Sequence, residues 1–160
     1  MIKDQNKPAT LESILDVLRN NGYSPELEDP YHDGTRTIKL KLGPMIFQID
    51  PTDLPYLKIS TACQMNHDTD DIVLMYQAAN EVNSSVMIGK VIIIEYSPMV
   101  LFNVEMICDS DLYFRNYFKT FMDITFNTVN HFLRYYDILT DKDKRIQKAL
   151  KAKEQDELPF

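Results

Sequence analysis

Between Asp111 and Leu139 the chain reads DLYFRNYFKTFMDITFNTVNHFLRYYDIL. Nine of the seventeen Phe and Tyr residues of the protein fall in this stretch, from Tyr113 to Tyr136. Phe114, Phe118, Phe121, Thr125, Val129, Phe132, Tyr136 and Leu139 recur at steps of three or four, which lays one stripe along a helix. Asp109, Ser110 and Asp111 offer an N-cap and negative charge at its start. At about 1.5 Å per residue the segment runs some 40 Å, the width of a domain. Tyr117, Ile124, Phe126 and Leu133 widen the stripe beyond one narrow face. The helix therefore needs a sheet on one side and a second cover, either another helix of the same core or a partner chain.

Working outward, the segments before this helix alternate between strand and helix periods. Leu11–Asn21 is a short amphipathic helix with Thr10 as N-cap and Gly22 at the left-handed position after its end. Residues 24–34, with two prolines, four carboxylates and an Asp-Gly signal, read as a loop. Strands are expected at 36–42, 45–50 and 56–64, joined by Gly43-Pro44 and by Pro51–Pro55, as an antiparallel meander. Asp70 can cap a second helix over 71–85, apolar on nearly every side. A strand over 87–96, continuous in Val91–Ile94, suits a central position covered on both faces. A fifth strand, 99–108, alternates Val100, Phe102, Val104 and Met106 against Asn103 and Glu105. The expected class is α+β, in the order α-βββ-α-ββ-α, with a five-stranded antiparallel sheet and a long C-terminal helix. One domain spans 10–140, and 141–160 forms a polar tail, with a further short helix over 140–153.

Composition bounds the function. A net charge of −7 disfavours general nucleic-acid binding and docking on anionic membranes. The tail holds six basic and five acidic residues, so the first 140 residues carry −8. No segment approaches the roughly 18 consecutive apolar residues of a membrane span, and the polar start Met1–Pro8 lacks a signal-peptide core. Cytoplasmic residence is the expectation. Cys63 and Cys108 sit in strand-like runs without metal-ligand spacing and read as buried free thiols.

No constellation carries chemistry. His67, Asp68, Asp70 and Asp71 match no ligand spacing, and acids at a helix start are favoured by its dipole alone. Glu26, Glu28, Asp29, His32 and Asp33 belong to the proline-rich loop, and His131 stands alone in the long helix. Ser84-Ser85 lacks a strand–Ser–helix elbow, and four glycines make no phosphate-cradling loop. The expectation is no enzyme, no cofactor and no metal.

The element order resembles the type III secretion chaperone-like superfamily, its YbjN-like branch in particular. The resemblance covers roughly residues 10–139. It rests on that order, on Gly22-Tyr23 followed by Met45-Ile-Phe-Gln-Ile-Asp50, and on Ala79-Asn-Glu-Val-Asn83 before the Lys90–Glu95 strand. It implies a mixed α+β fold, a homodimer and no catalysis. Secretion chaperones hold an extended segment of a partner protein and dimerise through the second helix region. The expected function is thus a non-catalytic, chaperone-like protein-binding module, with a structural or regulatory homodimer lacking a client as the alternative. The second helix is apolar on more faces than one sheet covers, so Met75, Tyr76, Ala79 and Val82 are the candidate dimer or partner interface.

Overall fold

A computed structural model describes residues 7–30, 32–65, 71–94, 96–97 and 99–156. Helix α1 (Leu11–Asn20) starts at Thr10, whose hydroxyl accepts from the Ser13 N–H while Ser13 Oγ accepts from the Thr10 N–H. This reciprocal cap satisfies two orphan donors of the first turn. Gly22, at φ +83°, lets the chain reverse after the helix at no steric cost. Ile14, Leu15, Val17 and Leu18 form the buried stripe.

Six strands follow the order β1-β2-β3-β4-β6-β5, all antiparallel: β1 (Glu26–Leu27), β2 (Ile38–Leu42), β3 (Met45–Asp53), β4 (Tyr56–Gln64), β5 (Gly89–Ile94) and β6 (Met99–Ile107). The five-strand expectation is corrected by β1, which lies in the stretch read as loop. Its two residues pair with β2, and Glu28 secures the junction. The Glu28 N–H donates to Thr37 O at 3.0 Å, and its carboxylate accepts from Thr37 Oγ1 and from Gln48 Nε2. The meander β2-β3-β4 forms as expected, but β3 runs on past Pro51, with a register shift between Asp50 and Asp53 that accommodates the proline. The Leu54–Pro55 bond in the next turn is cis.

Two further expectations change. The apolar run Val91–Ile94 is an edge strand, not a central one, because β6 inserts between it and β4. Ile92 is accordingly 43% exposed. The long helix does not stop at Leu139. Helix α3 (Asp111–Asp156) is one unbroken element of 46 residues, about 70 Å. Ser110 caps it, its hydroxyl accepting from the Tyr113 N–H at 3.3 Å. The expected Asp70 cap of α2 (Asp71–Ser85) lies outside the described residues, as do His67 and Asp68.

All three helices lie on one side of the sheet. The N-terminal half of α3 places Phe114, Phe118, Phe121 and Met122 against α1, β2, β3 and β4. Its next turns place Val129, Phe132 and Tyr136 against α2, β5 and β6. Edge-to-face rings fix both halves, Tyr23 on Phe118 at 5.6 Å and Phe102 on Phe132 at 5.5 Å. Thr125 and Thr128 mark the seam, their hydroxyls donating to Phe121 O and Ile124 O. There the helix crosses close to β5, where only glycine fits. A Cβ on Gly89 would lie 2.3 Å from Thr128 Oγ1.

Candidate protein-binding face

Strand alternation sends Ile38, Leu40, Phe47, Ile49, Leu57, Ile59, Phe102 and Val104 inward under the helices. The residues between them point to the other side of the sheet. No described element covers that side.

Ladder registers order this bare face into cross-strand rows, since directly opposed residues share a face. Ala62, Leu101 and Ile92 lie side by side across β4, β6 and β5, and Ile46 of β3, the residue before the Phe47↔Thr61 pair, extends this row and lines one hollow with Ala62 and Leu101. Ile46 is 45% exposed. The next row is Gln48, Ser60, Asn103 and Lys90, and the one after it Asp50, Lys58 and Glu105. Tyr56 and Ile107 end the face on one side, 65% and 57% exposed, and Gln64 with Met99 and Ile94 end it on the other.

Three shallow hollows score the face. One of about 300 Å³ runs along the apolar row between Ile46, Ala62 and Leu101. Another, about 240 Å³, lies among Asp50, Tyr56, Lys58 and Glu105. The third, about 150 Å³, lies among Ile88, Lys90, Ile92, Asn103 and Glu105. At the centre stands Asn103, only 6% exposed, with an Oδ1 that finds no hydrogen-bond partner among the described residues.

The residues singled out on α2 are placed differently from one another. Met75, Ala79 and Val82 are buried within the chain, packed in one cluster with Val91, Phe102 and Phe132. Tyr76 reaches the surface. The sheet and α3 together use the inward sides of α2. The bare face was not read from the sequence. Its signal was the β6 pattern, where Leu101, Asn103 and Glu105 alternate with core residues, but only the strand order joins them to Ile46 and Ile92.

Asp33 accepts from the Thr35 N–H and Oγ1, and these bonds hold its carboxyl below the usual range, which makes the acidic loop a turn. His131 is exposed, its ring 6.3 Å from Tyr135. Burial pushes the Cys63 thiol up, and burial with the nearby Asp109 and Asp111 pushes Cys108 up to about 11. Among the described residues no three His, Cys, Asp or Glu side chains are placed to hold a metal ion. No described helix is long and apolar enough to cross a membrane.

These features define an α+β domain with helices on one face of an antiparallel sheet and the other face bare among the described residues. No family model and no curated protein matches the chain. Among solved structures it is similar to the crystal structure of YbjN, a candidate transcription regulator from E. coli. The TM-score is 0.58 at 11% identity, over 86% of this chain and 96% of that one. The chain has a YbjN-like fold.

Proposed function

We propose that the chain is a non-catalytic, chaperone-like protein-binding module that holds a segment of a partner protein on the bare face of its sheet. The apolar row Ile46–Ala62–Leu101–Ile92 carries this reading. A contiguous apolar strip bordered by the polar row Gln48, Ser60, Asn103 and Lys90, with Lys58 and Glu105 beyond it, is the composition of an interaction surface rather than of ordinary solvent-facing sheet. The resemblance to type III secretion chaperones supports the same reading, since those proteins hold segments without catalysis. A charge of −7 points the module away from nucleic acid.

The test is affinity capture from lysate with wild type and Leu101→Glu, the retained proteins identified by mass spectrometry. A stoichiometric partner held by wild type and lost by the variant is the expected result. A partner held equally by both, or none held by either, overturns the reading.

A further inference from the structure

The bare face is self-complementary. β4 and β6 pair over nine residues without a bulge, from Tyr56↔Ile107 to Gln64↔Met99. A two-fold axis parallel to these strands and midway between them keeps every cross-strand row in place and exchanges β4 with β6 and β3 with β5. In a pair of copies stacked on this axis, each outward residue of β4 sits over its own ladder partner in the other copy.

The consequences follow from the register. Lys58 of one copy lies over Glu105 of the other, and Glu105 over Lys58, two opposite-charge contacts from one symmetry element. Ala62 lies over Leu101, and Ile46 over Ile92, so the apolar strip meets itself. Ser60 lies over Asn103, bringing a hydroxyl donor to an acceptor that has no partner among the described residues. An axis along the Ser60–Asn103 row would instead place the apolar strip on Asp50, Lys58 and Glu105, and one along the apolar strip itself would carry Lys58 and Glu105 past the ends of the facing β4 and β6. The residue pattern therefore selects one axis. Four strands at about 4.8 Å and nine residues at about 3.3 Å give a contact of roughly 600 Å² on each copy. That lies at the low end of specific interfaces, so the pair is reversible rather than obligate.

We propose that a second copy of this chain covers the bare face, sheet on sheet, with the two-fold axis between β4 and β6. This rests on the reading of that face as a protein-binding surface and names the occupant it takes when no client is bound. Stacked sheets cross at about 30°, so the register is tightest near the axis, at Lys58, Ser60, Ala62 and their partners.

Light scattering across the micromolar range should show a mass rising from 18.7 kDa toward twice that value. Leu101→Glu, checked by circular dichroism for an intact fold, should weaken association at least tenfold. Register is tested on a Cys63→Ala background by mixing Ile46→Cys protein with Ile92→Cys protein and adding a short bis-maleimide. Three strand spacings, about 14 Å, separate the two positions within one chain. The mixture should cross-link to double mass, and each variant alone should not. A mass fixed at 18.7 kDa overturns the proposal, as does a pair that persists in folded Leu101→Glu or a mixture that fails to cross-link. Should Leu101→Glu not fold, the cross-link alone decides. A monomer that still captures a partner through Leu101 sinks only the self-pairing. A partner captured equally by both proteins sinks the broader reading of the face.

Discussion

Asn83 ties the end of α2 to the middle of β5. Its Oδ1 accepts from the Val91 N–H at 2.8 Å and its Nδ2 donates to Val91 O at 2.9 Å. The amide thus imitates one peptide group of a neighbouring strand and occupies the outer edge of the sheet, where unpaired groups invite aggregation. Asn83→Ala should cost about 1–3 kcal/mol in urea unfolding, because it strands two backbone groups in a part-buried setting. An unchanged midpoint would show that water replaces the amide freely. Asn80 and Asn83 stand out in the sequence as a spaced pair, yet the role of Asn83 was not legible there, because its partner is reached only after the chain reverses. Cys108 offers a second residue-scale test. Its thiol is raised from 9.0 to about 11, so the folded state favours the protonated form. The stability this gives is fully present below the ordinary thiol value and is lost as pH rises from about 9 through 11. Reactivity of Cys108 toward a thiol reagent at neutral pH should track global unfolding, and fast labelling of the native protein would contradict its burial.

At the scale of elements, α3 shows what periodicity reveals and what it hides. The aromatic stripe from Phe114 to Tyr136 was legible, and every member of it is buried against the sheet or the other helices. The continuation past Leu139 was not. Thr140 reads as a break, but its hydroxyl donates back to Tyr136 O at 2.9 Å and the helix continues. Most described side chains from Asp141 to Lys148 are exposed. Deleting 141–160 should therefore lower the thermal midpoint by only a few degrees. A loss above roughly 3 kcal/mol would mean that this part docks on the body. The crossing of α3 over β5 makes the opposite prediction. Gly89→Ala drives a methyl against Thr128 and should destabilise by about 1–3 kcal/mol, the usual cost of overpacking. Combining it with Thr128→Ala should recover part of that loss, a coupling readable in a double-mutant cycle. β1 escaped notice because two residues between prolines are too few for an alternating pattern.

For the whole molecule, the alternation in β2, β3, β4 and β6 gave the class, the meander and the covered face. Strand order was beyond it. Nothing in the run Val91–Ile94 distinguishes an edge strand with one half-open face from a central strand, since both are apolar. The acidity of the chain makes a prediction at this scale. With −7 overall, it should show no binding to duplex DNA by fluorescence anisotropy at physiological salt. Retention that weakens steeply with added salt would refute this.

The order β1-β2-β3-β4-β6-β5 also governs what happens while the chain is being made. β4 leaves the ribosome as the last strand of a completed meander, but its permanent neighbour β6 lies beyond α2 and β5, with Gln64 waiting for Met99 and Tyr56 for Ile107. At ~5–20 residues per second, that interval lasts on the order of several seconds. For that time the future centre of the sheet is a raw edge, and both clusters lack α3. The nascent protein is therefore most in need of protection midway through its own synthesis, and translation pauses between Gln64 and Ile107 should lower its soluble yield more than pauses elsewhere.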